Sequence, residues 1–189
     1  MNVYADHAAT TPMRACAKEA MLEALEDFGN TSSIHSAGRL AAVRLESARK
    51  EVAELLNCRP SEIYFTSGGT EADNWAIRAA RYGDGHVVAS AFEHHAIIHA
   101  LEAMAREKER HVELVKPERD GIVDPERVRR NVSQYTNLVT VMAANNEVGT
   151  IQPVEEIGRE IRKGGNKKTI FHTHAVQAVG HNPVGVQKR

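Results

Sequence analysis

The sequence predicts an α/β fold, a mostly parallel sheet with flanking helices, and three observations carry that prediction. Short β-like runs alternate with helical patterns through the second half of the chain. A glycine turn, Ser67-Gly68-Gly69-Thr70, joins an apolar run to an amphipathic segment. Four polar clusters fall at or just after the ends of the β-like runs, and in open parallel sheets ligands sit at the carboxyl ends of the strands.

Taken in order, the polar entry Asp6-His7-Ala8-Ala9-Thr10-Thr11-Pro12 leads into residues 14–28, where Ala17, Met21, Ala24 and Leu25 have helical spacing. Gly29-Asn30-Thr31-Ser32-Ser33 breaks that helix. From Gly38 the residues Ala41, Leu45, Ala48, Val52 and Leu55 recur at steps of four and three, with Arg39, Arg44, Arg49 and Lys50 on the other, solvated side. The spacing predicts the longest helix there. A short strand at 63–65 then enters the glycine turn, and Trp75, Ile77 and Ala80 mark the helix after it. Further strands are predicted at 87–90, 112–115, 138–143 and 169–173. Helices at 96–106, 124–132 and 154–163 separate them, with Asp124 as a cap, Pro125 in the first turn and Pro153 opening the last. No repeat, low-complexity tract or linker divides the chain, so one domain over 1–189 is expected.

The strand, glycine turn and helix at 63–80 read as an anion seat. Glycines let a ligand approach the backbone, and the free N–H groups and dipole of a helix N-terminus favour a phosphate. Ser67 and Thr70 add hydroxyls. A plain strand-to-helix turn capped by Ser67 or Thr70 is the alternative. The segment has neither the lysine of a nucleotide-binding P-loop nor the G-x-G-x-x-G spacing of a dinucleotide fold.

Composition is that of an ordinary globular protein, with 42% hydrophobic and 26% charged residues over 189 positions. A net charge of −1 gives no reason to expect nucleic acid or an acidic membrane surface as partner. No apolar run approaches a membrane span and the first residues are not a signal peptide, so a cytoplasmic location is expected. Cys16 and Cys58 suit a reducing compartment and sit in settings that do not favour a thiolate.

The polar clusters are Ser67 to Thr70, Glu93-His94-His95, Asn145-Asn146-Glu147, and His172-Thr173-His174 with Gln177. Two chemistries suit them. Ten histidines invite a metal, with His94, His95, His99, His172 and His174 as ligands, but no His-Glu-x-x-His motif or close cysteine pair occurs, and no metal is expected. An organic phosphate cofactor is the other choice. Its phosphate would rest on 68–70 and its ring under His94, with Asn146 and Gln177 on ring substituents and residue 174 at the far ring nitrogen.

These residues resemble the N-terminal half of the pyridoxal-phosphate-dependent cysteine desulfurases, part of the class-V aminotransferase group. The likeness runs from Tyr4 to about Val186. It is carried by Asp6-His7-Ala8-Ala9-Thr10-Thr11-Pro12, Phe28-Gly29-Asn30-Thr31-Ser32-Ser33-Ile34-His35, Phe65-Thr66-Ser67-Gly68-Gly69-Thr70-Glu71-Ala72-Asp73-Asn74, Glu93-His94, Asn145-Asn146-Glu147-Val148-Gly149-Thr150-Ile151-Gln152-Pro153, and the run from His172 to Gly180. The resemblance implies an incomplete large domain of the fold type I aminotransferase architecture, with pyridoxal 5'-phosphate as cofactor. It implies that Gly69 and Thr70 bind phosphate and that His94 stacks on the pyridine ring as the catalytic histidine. Asn146 would lie near substrate carboxylate and cofactor, Gln177 on the ring hydroxyl, and His174 at the ring nitrogen. It implies L-cysteine as substrate, yielding alanine and a persulfide for iron-sulfur cluster assembly, with a homodimer and an iron-sulfur scaffold protein as partners.

The sequence departs from that family in three ways. The Schiff-base lysine after a Ser-x-His motif, and the persulfide cysteine, both belong to a C-terminal half that this chain lacks. Lys188, Cys16 and Cys58 match neither. His174 stands where the family has an aspartate, and an imidazole cannot supply the anion that keeps the ring nitrogen protonated. Asn182 and Gly185 replace an expected apolar residue and an aspartate. The expectation is a truncated desulfurase-like chain, inactive alone. The alternatives are a non-catalytic or split subunit that binds a complementary C-terminal chain, or another class-V activity such as selenocysteine lyase or an aminotransferase.

Overall fold

The computed structural model describes residues 2–80, 85–106, 110–164 and 167–186, and these fall into two compact units, 2–65 with 184–186, and 66–183. In the first unit, α1 (Ala15–Leu25) follows Arg14 without a side-chain cap. The helical spacing is as expected, but none of its residues is buried, and Leu25 and Phe28 are 77% and 83% exposed. Helix α2 (Ser36–Leu55) starts where Nδ1 of His35 accepts the Gly38 N–H at 3.4 Å. A Cβ on Gly38 would lie 2.6 Å from both the Asn30 carbonyl oxygen and the Ser33 Cβ, so only glycine lets the 30–33 turn close on the helix. A single 3₁₀ turn, Pro60–Glu62, follows.

The expected strand at 63–65 is not formed. Its backbone leaves the 3₁₀ turn extended, but it pairs with no strand among the described residues. Arg49 takes up the slack instead: its guanidinium donates to the Ile63 carbonyl and lies 5.1 Å over the Phe65 ring. A β-like run becomes a strand only beside a neighbour that completes its ladder.

The second unit is built on the predicted alternation. Its elements are α3 (Gly69–Ala79), β1 (His86–Ser90), α4 (His95–Arg106), β2 (Val112–Val115), α5 (Pro125–Asn131), β3 (Thr136–Thr140), α6 (Val154–Lys163) and β4 (Ile170–His172). The four strands form one parallel sheet in the order β2-β1-β3-β4. Successive side chains along β1 point to opposite faces and so enter different cores. Val87 and Ala89 pack with Ile77, Ile97, Leu101 and Met104 of α3 and α4, whereas Val88 packs with Val128, Ile157 and Ile161 of α5 and α6. Helices therefore cover both faces, which is why a parallel sheet is stable here.

Helix α5 begins as expected, with Asp124 accepting the Glu126 N–H at 3.0 Å and Pro125 in the first turn. Strand β3 ends three residues before the predicted boundary. The Met142 N–H leaves the ladder to meet the Glu93 carboxylate at 2.7 Å, although Val141 and Ala143 still donate to the carbonyls of His172 and His174. The ladder thus ends where the polar clusters begin.

Candidate functional site

The site lies in the second unit, at the carboxyl edge of the sheet. Gly68 is the N-cap of α3 and no side chain caps the helix, so neither Ser67 nor Thr70 plays that part. The Ser67 N–H and hydroxyl instead donate to the Glu71 carboxylate, at 2.7 and 2.6 Å, and these bonds lower the Glu71 pKa. The first-turn Glu71 thus engages Ser67, just before the glycine turn. A Cβ on Gly68 would meet nothing within 4 Å among the described residues, whereas one on Gly69 would lie 3.3 Å from Val176 Cγ2 and 3.7 Å from His174 Cε1. The turn is open on one side and pressed against the 174–176 segment on the other. Thr70 is exposed at its mouth.

His94 and His174 come from the ends of β1 and β4, which are separated in the sheet only by β3. Their rings stack with centroids 5.2 Å apart and planes within 4° of parallel. Nδ1 of His94 accepts the Ala96 N–H at 3.2 Å, at the start of α4. Nδ1 of His174 lies 2.9 and 3.2 Å from the carboxylate oxygens of Asp73, and Nε2 of His172 is 3.5 Å from the same group. His172 is oriented in turn by Thr140 Oγ1, 2.9 Å from its Nδ1. Asp73 and His174 are buried.

Burial alone would raise the Asp73 pKa, but hydrogen bonds and charge from His172 and His174 outweigh it and hold the group down at about 2. The Asp73 bond in turn raises the His174 pKa against a smaller opposing effect of burial. The two shifts agree on an ion pair. Beside them, burial raises the Glu93 pKa. Glu93 Oε1 accepts the Ser90 hydroxyl and the Met142 N–H, while its buried Oε2 has no partner among the described residues.

Of the residues singled out from sequence, His94 and His174 stack, and Gly69 faces His174. Asn146 and Gln177 stand half-buried in the turns after β3 and β4, on the same edge. Asn145 is a turn builder: Oδ1 accepts the N–H groups of Glu147 and Val148 at 2.8 and 2.9 Å, and Nδ2 donates to the Phe92 carbonyl. His95 and His99 pair on the exposed face of α4, with rings 5.5 Å apart. Sequence reasoning gave Asp73 no role. Its one available signal was its place four residues after Gly69, on the helix face that carries the glycine turn.

The family model described as "Aminotransferase class-V" matches residues 3–189. The chain belongs to that family. Its members are pyridoxal-phosphate-dependent. Among curated relatives, the cysteine desulfurase IscS of Methanosarcina thermophila is 44% identical over 98% of this chain and 46% of its own length. That of Dictyoglomus turgidum is 40% identical over 98% of this chain and 48% of its own. A solved structure titled "NIFS-LIKE PROTEIN" superposes with a TM-score of 0.92 at 36% identity, covering 100% of this chain and 52% of that one. Another, titled "SspA in complex with cysteine", gives 0.88 at 30% identity, covering 96% and 52%. The chain spans about half the length of the curated relatives it matches.

The residues present fit the family's cofactor at its phosphate end, where the glycine turn at the start of α3 is open beside Gly68 and Thr70 is exposed. The ring end fits once His174 turns away from His94. An aromatic ring inserted between two others needs about 7 Å, two layers of roughly 3.5 Å, and the imidazoles are 5.2 Å apart. The longer side chain at 174 lies against one face of His94.

Proposed function

We propose that this chain is the cofactor-holding part of a cysteine desulfurase-like enzyme and does not turn over substrate alone. The observation that carries the reading is the meeting of Gly69, His94 and His174 at one sheet edge. The identity of 40–44% to desulfurases along 98% of the chain supports it. In this reading the N–H groups of 68–70 and the Thr70 hydroxyl bind the phosphate, and His94 covers a face of the ring. Gln177 bonds the ring hydroxyl and Asn146 orients the substrate carboxylate. When bound, pyridoxal phosphate serves as an electron sink for negative charge at the α-carbon of an amino acid.

L-cysteine is the proposed substrate, with the sulfur passed on toward iron-sulfur assembly, in a cytoplasmic homodimer that meets a scaffold protein. Among the described residues no helix is long and apolar enough to cross a membrane.

The chain supplied with pyridoxal phosphate and L-cysteine is expected to release no sulfide above a cofactor-only control. Joined to the C-terminal half of the Methanosarcina relative, with His174→Asp, it is expected to release sulfide. Turnover by the chain alone would contradict the first expectation. A folded fusion that releases none would contradict the second.

A further inference from the structure

Between the end of β1 at Ser90 and the start of α4 at His95 the chain has four residues in which to turn, and the last of them is His94. Two side chains grip this turn. Glu93 Oε1 accepts the Ser90 hydroxyl and, at 2.7 Å, the N–H of Met142, two residues beyond the end of β3. Asn145 Nδ2 donates to the Phe92 carbonyl at 2.9 Å. Strands β1 and β3 are neighbours in the sheet, so one carboxyl oxygen joins two adjacent strand ends. We propose that Glu93 is a positioning residue of the cofactor seat, which by spanning the ends of β1 and β3 fixes where the next residue, His94, presents its ring.

His94 is held from both sides. Toward α4, its carbonyl accepts the N–H groups of Ile97 and Ile98 at 2.8 and 3.1 Å, and its Nδ1 accepts that of Ala96. Toward β1, its neighbour Glu93 is buried and bonded as above. With both flanks tied down, the ring settles 5.2 Å from that of His174. Glu93 does this as a hydrogen-bond acceptor and not as an anion. Both donors meet Oε1, and the buried Oε2 has no partner among the described residues, whereas a buried carboxylate normally has donors on both oxygens. A protonated carboxyl group suits this arrangement, with the hydrogen on Oε2 and two acceptor sites left on Oε1. Burial favours that form, against the bonds from Ser90 and Met142 and the charges of His172 and His174. Glutamine reproduces it, since the amide oxygen takes both bonds and the NH2 stands where Oε2 was. Aspartate is shorter by one methylene and cannot reach both strand ends.

The inference rests on the cofactor reading for what the seat holds, so its first test is made without cofactor. In the chain labelled with 13C,15N-histidine, contacts between the His94 and His174 rings are read by nuclear Overhauser effects. Glu93→Gln is expected to keep these contacts, whereas Glu93→Ala and Glu93→Asp lose them. The dissociation constant for pyridoxal phosphate is expected to stay within about twofold in Glu93→Gln and to rise at least fivefold in the other two. Ile161→Ala, a core change near the far end of α6, is expected to lower stability and leave the His94 resonances in place. Circular dichroism checks each fold, and if the alanine and aspartate variants do not fold, the result for Glu93→Gln decides. Ring contacts kept in a folded Glu93→Ala or Glu93→Asp chain would overturn the proposal. So would their loss in Glu93→Gln, or displacement of His94 in Ile161→Ala as large as in Glu93→Ala. A wild-type chain that binds no pyridoxal phosphate would refute the cofactor reading, and the ring contacts would still decide the role of Glu93.

Discussion

Nδ1 of His174 lies 2.9 Å from a carboxylate oxygen of Asp73, across 101 residues of sequence, and both side chains are buried. Helix α3 supplies the acid and the residue two beyond β4 the base. An aspartate at position 174, which the resemblance implies, would have put a second anion beside Asp73. The histidine instead gives Asp73 a partner and brings an imidazole against His94.

This pair, with Glu93, gives the chain a stability maximum at acidic pH. Asp73 is held at about 2, below its ordinary 3.8, so its contribution is full above 3.8 and is lost as pH falls toward 2. His174 is raised above its ordinary 6.5, so its contribution is full below 6.5 and is lost as pH rises through the folded value. Glu93 is raised above 4.5, so its ionisation costs stability from there upward. Urea midpoints should therefore be highest between roughly pH 3.8 and 4.5, where all three contributions are full, and should fall further as pH rises beyond 6.5. His174→Gln should flatten the alkaline decline. A chain more stable at about pH 8.5 than at about pH 5.5 would contradict this.

His174→Asp should destabilise the chain at neutral pH. It removes the partner of Asp73 and places a second carboxylate close to it, and breaking a buried pair in this way costs on the order of 3 kcal/mol. Acidification should recover part of the loss, because one of the two acids then takes a proton. Thermal melts of the two proteins at neutral and mildly acidic pH decide it; coincident melts at neutral pH would mean that the pair contributes nothing.

Gln152 should matter to stability although it lies outside the site. It is buried; its Oε1 accepts the Val123 N–H at 2.8 Å, and its Nε2 donates to the Gly121 carbonyl at 2.9 Å and to Thr150 Oγ1 at 3.2 Å. One side chain thus ties the 121–123 turn to the 145–152 turn. Gln152→Ala leaves buried backbone groups unsatisfied and should cost about 2–3 kcal/mol in urea melts. A loss below about 0.5 kcal/mol would show that water replaces the amide.

The alternation of 86–172 was legible because both cores follow directly from local pattern: period two in the strands and period 3.6 in the helices that cover them. Val87 and Val88 enter different cores for no other reason than the pleat. The run at 63–65 was misread because a strand depends on a neighbour that no local pattern reports. Helix α1 was legible as a helix but not as an uncovered one, for the same reason: spacing gives the apolar face, and only tertiary structure gives its cover. Within the site, Gly69, His94 and His174 stood out as residue types with obvious chemistry. Asp73 did not, since its role exists only through a residue 101 positions away, and Asn145 looked like its neighbour Asn146 until the turn it builds was seen.

The most direct test of the central claim, that this chain builds the cofactor seat, is a pyridoxal phosphate titration of the chain followed by quenching of Trp75, its single tryptophan. Weak saturable quenching is predicted, reduced at least tenfold in affinity by Thr70→Ala and strengthened by His174→Asp, which clears the face of His94. No saturable quenching on a folded chain, or quenching that Thr70→Ala leaves unchanged, would contradict it.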